Sequence, residues 1–141
     1  MITSGLCWSY KLELLQGIHD FREDVIKAAL YTGLADLSPQ ATEAYSPTNE
    51  ATGINWSAGG VALPVRSGYP QIHEPSGRGV VAFDDVQVLA VTLTFRAVLL
   101  YNSSKANRAI VILDKGVDVV LTAGPMYLFS NPASPYLLTT A

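Results

Sequence analysis

Charge is the first thing this chain has little of. Of its 141 residues only 15% are Asp, Glu, Lys or Arg, nine basic against twelve acidic, for a net charge of −3. The Lys and Arg residues stand singly and form no run. A protein that neutralises phosphates needs clustered cations, so nucleic-acid binding is not expected. Cysteine is scarcer still. Cys7 stands alone, which excludes an internal disulfide and reads as a small buried thiol. No stretch supplies the ~20 apolar residues of a membrane helix, and Arg96 breaks the best candidate. Residues 1–10 lack both a basic start and an unbroken apolar run, so a secretory leader is not expected. These absences predict a soluble protein, off the membrane and made in a cytoplasm.

Catalytic patterns are missing as well. There is no G-x-S-x-G elbow, P-loop or dinucleotide fingerprint. The two histidines, His19 and His73, match no zinc spacing. His19 lies among Asp20, Glu23 and Asp24 and reads as part of a solvated polar connection. Asp84 and Asp85 are adjacent, so on a strand they point to opposite faces and form no carboxylate pair. The expectation is therefore no enzyme, no cofactor and no metal. Asn55-Trp56-Ser57 and Asn102-Ser103-Ser104 match the glycosylation pattern, and read as chance matches where no secretory leader is expected.

What the chain has in excess is apolar residues, 49% of the total, with a positive mean hydropathy. A domain of this size has much surface per unit volume, so part of that content is expected to be buried against partners, including copies of the chain. The dominant stretch runs from Phe83 to Asn102, FDDVQVLAVTLTFRAVLLYN. Leu89, Val91, Leu93, Phe95, Ala97, Leu99 and Tyr101 alternate in it without a break. Period two with β-branched and aromatic residues predicts a strand with one buried face. The sixteen residues from Val86 to Tyr101, at ~3.3 Å each, reach roughly 50 Å, so the run is either one bent strand or two in tandem.

Around this run the chain divides by its turn residues. Ser9 to Ile18 predicts a two-turn helix with Ser9 as N-cap and Gly17 as stop. Residues 25–32 predict a strand with Ile26, Ala28 and Leu30 inward, a helix being the alternative. Residues 33–55 form a long aperiodic segment, which in a compact domain is functional, disordered or folded onto a partner. Gly59-Gly60 opens a strand over 61–65. Further strands follow over 80–83, 109–114, 117–122 and 126–129, split by Lys115-Gly116 and Ala123-Gly124-Pro125. Strands at this spacing predict a mainly β fold, an antiparallel β-sandwich or barrel with one short N-terminal helix and long loops. The domain spans 1–141, with an arm over about 1–9 and an extended, proline-bearing tail over about 130–141 that is expected to dock on something. Candidate interface residues are Trp8, Tyr45, Trp56, Tyr69, Tyr136, Leu137 and Leu138. Loop aromatics serve as interface anchors or lids, and stacking on sugars is the alternative.

Six blocks, in order, carry a resemblance: Asp24 to Thr32, Thr48 to Gly53, Ser57 to Leu63, Phe83 to Val86, Arg96 to Asn102, and Asn107 to Ile110. In this order and spacing the chain resembles a group of short tailed-bacteriophage virion structural proteins, over about Leu12 to Phe129. The resemblance implies a non-enzymatic, β-rich virion component made in the host bacterial cytoplasm. The first expectation is a capsid decoration or cement protein docked on the major capsid protein, or on other virion proteins, as a homo-oligomer. A neck or tail component is the second. Two features depart from the group. Leu89-Ala90-Val91 stands where a polar break is usual, and the C-terminal tail is longer.

Overall fold

The structure, a computed structural model, describes residues 1–128 and the backbone of residues 136–139. Among these the fold is mainly β. Strand β1 (Gly5–Leu6) precedes the one helix, α1 (Trp8–Leu15), and β2 (Ile26–Tyr31), β3 (Val61–Leu63), β4 (Gln71–His73) and β5 (Arg78–Ala82) follow. The long strands β6 (Val86–Asn102) and β7 (Arg108–Leu128) come next, then the short β8 (Tyr136–Thr139). One antiparallel sheet has the order β1-β7-β6-β2-β3 and a second has β4-β5-β8. A shared core joins them, with Val81 of β5 and Phe83 just after it packed among β2, β6 and β7 residues.

The Phe83 to Asn102 run holds one bent strand, Val86–Asn102, rather than two. It pairs with β7 from Val86↔Leu128 to Asn102↔Arg108, and the register slips at four places along the way. One slip explains why strict alternation fails at its start. Ala90 sits at φ 55°, in the left-handed region, and the extra residue shifts the phase of everything before it. Leu89 therefore points to solvent, while Val86 and Val88 pack against the core. From Ala97 to Asn102 both faces are buried, and β2 pairs along the other edge in register Ile26↔Asn102 to Tyr31↔Ala97, so this half of β6 is a central strand.

Strand β7 corrects the expectation of three separate strands. Lys115-Gly116 and Ala123-Gly124 are bulges within one ladder. Four residues, Lys115 to Asp118, lie opposite the single Arg96, and Gly116 (φ 78°) and Ala123 (φ 46°) supply the left-handed turns. Positive φ serves bulges and chain reversals alike, so local residue types alone do not separate them. Arg96 donates to Asp114 at 3.2 Å across the larger bulge.

Helix α1 begins one residue before its expected cap. Cys7 takes the N-cap position with no capping side chain. The Pro39 carbonyl accepts from the Trp8 N–H at 2.8 Å in its place, so tertiary contact supplies what a cap would. The far end closes as expected at Gly17 (φ 69°). Ile18 N–H reaches the Glu13 carbonyl and Gly17 N–H the Leu14 carbonyl, the paired bonds of a Schellman motif.

The segments expected to reach outward are largely folded back. The N-terminal arm lies on its own domain through Gly5↔Ile112, Leu6↔Val111 and an Ile2–Leu37 bridge. The segment over 33–55 covers the β2 and β7 ends, bridging Tyr31↔Glu50 and Ala44↔Arg108, and buries Ala35, Leu37 and Ala51. In the tail, the backbone of Tyr136–Thr139 pairs with β5, so that part docks on its own domain. Phe129, Pro132 and Pro135 lie outside the described residues.

Gly60 is where the chain has least room. At φ 72° it faces the Ala28 carbonyl of β2, and a Cβ would overlap that carbonyl oxygen. Gly17 has the same handedness but open space around it. Gly60→Ala is expected to cost more than about 3 kcal/mol, from strain and a backbone clash together. Gly17→Ala is expected to cost only about 1 kcal/mol. Urea midpoints of the two variants check the order, and equal losses would refute the close-approach argument.

Candidate functional site

The seven candidate interface residues divide four ways. Trp8 is 55% exposed at the start of α1. Trp56 is a correction, being only 2% exposed and a member of the core. The segment bearing it closes on itself at Gly53↔Trp56 and runs from the end of β2 to β6, through Tyr31↔Glu50 and Ile54↔Thr92. Tyr45 and Tyr69 are half-buried against the core. Tyr136, Leu137 and Leu138 belong to β8, and their side chains lie outside the described residues.

Tyr45 is a lid over its own domain. Its ring stacks on Tyr101 at 4.8 Å, and its hydroxyl donates to Glu50 Oε2 at 2.6 Å. Glu50 Oε1 accepts from the Gly59 N–H, and the Tyr101 hydroxyl donates to the Gly59 carbonyl, each at 2.6 Å. Burial, then the Glu50 hydrogen bond and charge, pushes the Tyr45 phenol up to about 12. The group stays a neutral donor and holds the 45–59 segment onto β6.

The face of α1 that leaves the core is the apolar one. Trp8, Leu12 and Leu15 are spaced i, i+4 and i+7, which places them within ~60° of one another at 100° per residue. They are 55%, 57% and 88% exposed. The opposite face buries Tyr10 and Glu13. An amphipathic helix ordinarily turns its apolar stripe inward. Here the stripe faces out, with Lys11 exposed on its flank.

What holds the helix in this orientation is a sealed polar network beneath it. Glu13 Oε1 accepts from His19 Nε2 at 3.0 Å, and Glu13 Oε2 from Arg108 Nη1 at 2.6 Å. The Asn102 amide nitrogen, buried at the end of β6, donates to His19 Nδ1 at 3.0 Å and to Asp24 Oδ2 at 2.7 Å. Its carbonyl oxygen accepts from the Ser104 N–H, and Lys105 Nζ binds Asp24 Oδ1 at 2.7 Å. The amide is oriented by these partners, since the reverse would set its oxygen against the Asp24 carboxylate. With Nδ1 accepting, the ring proton sits on Nε2, aimed at Glu13.

His19 is thus a second correction. Its side chain is fully buried, not part of a solvated connection, with both ring nitrogens engaged. Asn102 is equally inaccessible as a glycosylation acceptor. Among the described residues no cluster of three or more metal-ligating side chains is present. His73 ends β4, bonded to Ser76 Oγ in the following turn at 2.8 Å. Burial, then the Glu13 charge, pushes the Cys7 thiol up to about 11, which keeps it protonated and unreactive.

A second apolar surface lies along the distal half of the β6–β7 ladder. Phe95, Val98, Val119, Leu121, Met126 and Leu128 line an open groove of about 550 Å³, with Asp114, Lys115 and the exposed Val117 at one end of it. Residues 86–95 and 119–128 contain none of the chain's charged residues. Among the described residues, no named strand pairs with the outer edge of β7 beyond Ile112. No helix among the described residues is long and apolar enough to cross a membrane. Comparison of the chain with family models, curated proteins and solved structures gives no match.

Sequence reasoning missed Glu13, His19, Asp24 and Asn102 as one unit. Three of them lie over residues 13–24 and the fourth some 80 positions later, so only the fold brings them together. The outward stripe was partly legible, because the i, i+4, i+7 spacing of Trp8, Leu12 and Leu15 stands in the sequence.

Two outcomes follow for the network. Burial raises the Asp24 carboxyl. Hydrogen bonds from Lys105, Asn102 and the Asp20 N–H, with the Lys105 charge, outweigh that and hold it below its ordinary 3.8. Its stabilisation is therefore complete above 3.8 and lost as pH falls through the lower folded-state value. Asp24→Asn is expected to be less stable near neutrality and to lose less on acidification. Parallel slopes of urea midpoint against pH would refute this. Asn102→Ala leaves His19 Nδ1 without its donor and Asp24 Oδ2 with only the Asp20 N–H, a loss of about 2–4 kcal/mol by the same midpoint measurement.

Proposed function

We propose that this chain is a non-enzymatic structural protein of a tailed-bacteriophage virion. Its first assignment is capsid decoration, docked on the major capsid protein or another virion protein of the head shell. The observation that carries the reading is the outward apolar stripe of α1, with Trp8, Leu12 and Leu15 exposed over a helix pinned from below by buried hydrogen bonds. A rigid helix presenting i, i+4, i+7 apolar side chains is a binding element. The one fully buried histidine has both ring nitrogens in structural bonds, which leaves it no free position for chemistry.

The six resembling blocks support the same reading by where they fall. The first contains β2, and the third contains β3, paired on it. The fifth is the end of β6, paired with the other edge of β2, and the sixth is the start of β7. The likeness thus lies in mutually contacting parts of the main sheet.

A cement protein works by mass action. Binding the assembled shell and not its free subunits stabilises the shell by RT ln(1 + [L]/Kd), about 2.7 kcal/mol at a hundredfold excess over Kd. Repeated copies add avidity. The sugar-binding alternative is weakened, because Trp56 is in the core and unavailable for stacking.

Quantitative mass spectrometry of purified particles tests the assignment. Hundreds of copies are expected for a shell protein. A dozen or fewer would move it to the neck or tail, and absence from particles would end the virion reading. Trp56→Ala is expected to lower stability by about 3–5 kcal/mol, as loss of a core aromatic does. A stable Trp56→Ala variant that loses glycan binding would instead favour the adsorption reading.

A further inference from the structure

The buried network under α1 is built around one protonation state of His19. The ring donates from Nε2 to Glu13 Oε1 and accepts at Nδ1 from the Asn102 amide, each at 3.0 Å. A second proton would stand on Nδ1, where it meets the Asn102 N–H head on. Turning the Asn102 amide to offer its oxygen does not relieve this. The reversal sets that oxygen against Asp24 Oδ2, now 2.7 Å from the amide nitrogen, and takes the acceptor away from the Ser104 N–H.

We infer that this network is a proton-operated latch on α1, closed while His19 carries one ring proton and opened when the ring takes a second. Opening parts Glu13 from His19 and loosens the helix that bears Trp8, Leu12 and Leu15.

The groups around the ring set the direction. Glu13 is the one that favours the added proton. Its Oε1 already holds the Nε2 proton and its Oε2 is taken by Arg108 at 2.6 Å, so protonation adds charge on that side but no bond. On the other side a bond becomes an opposition of two donors, beside an Asp24 whose charge is met by Lys105 at 2.7 Å. Tyr10, its ring 5.0 Å from the imidazole, and Cys7, which feels the Glu13 charge, stay neutral because burial raises both. The His19 side chain is sealed from water, so a donor that loses its acceptor there finds no replacement, and that cost outweighs the added attraction.

The sign follows from counting protons. A histidine freed into water titrates at ~6.5, and only the open form binds the extra proton, so the opening constant rises as pH falls. From about pH 7.5 to about pH 5.5 the rise is about tenfold.

The inference concerns the isolated protein and stands apart from the virion reading. Hydrogen exchange of the α1 amides in purified full-length chain tests it, with rates corrected for the intrinsic pH dependence of exchange. Opening is expected to rise about tenfold over that range in wild type. His73→Gln, which removes the only other histidine, is expected to rise alike. His19→Gln keeps a donor toward Glu13 but takes no proton, so its opening is expected to start higher and stay flat. Nitrogen-15 imidazole signals of wild type give a second reading that needs no variant, because the closed form is expected to keep the Nε2–H tautomer throughout. A flat wild type overturns the inference. So does a His19→Gln variant that rises like wild type, or a doubly protonated His19 in the closed form.

Discussion

The backbone ladder between β6 and β7 is the constraint on which the rest of the fold depends. It runs the full length of β6, and other elements attach along it: β2 on the free edge of β6, β1 on β7, and the 45–59 segment over Tyr101. Strands this long would twist apart if flat and regular. The register slips bend the pair, so the lower part is covered on both faces while the distal part keeps one largely apolar, groove-bearing face. The bulges therefore build both the core and the recess.

The apex of this hairpin is tied to the helix by buried polar groups rather than by apolar packing. Asn102, as the last residue of β6, can reach His19 and Asp24 only because the turn over 103–107 holds it there, with Ala106 and Asn107 both left-handed. Glu13 then draws the polar side of α1 inward toward His19 and Arg108. Once that side is committed to the interior, Trp8, Leu12 and Leu15 have nowhere to point but outward. The inverted helix is thus a consequence of the network. Breaking it would release the apolar side to turn in.

Much of the core was legible before the fold was known. Alternation from Val91 to Tyr101, the β2 residues Ile26, Ala28 and Leu30, and the stop at Gly17 all sit as their periodicity and residue types require. The site was less legible. Trp56 read as a loop aromatic because the residues around it are small and polar, yet its segment bridges to Tyr31 and Thr92 and buries the ring in the core. His19 read as solvated because its sequence neighbours are acidic. Its structural neighbours are Glu13 on the helix and Asn102 on a strand end.

The amino-acid sequence by itself determined the class of fold, the long central strand, the short helix and the apolar excess. These follow from composition and short-range periodicity, which act through local backbone preference and the burial of one face. Only the tertiary structure decided which turn signals became bulges, which loop aromatic became core, and which face of α1 meets solvent. Those outcomes depend on pairing between residues far apart in the chain. A positive-φ glycine, a tryptophan or a histidine is compatible with several of them until its partners are in place.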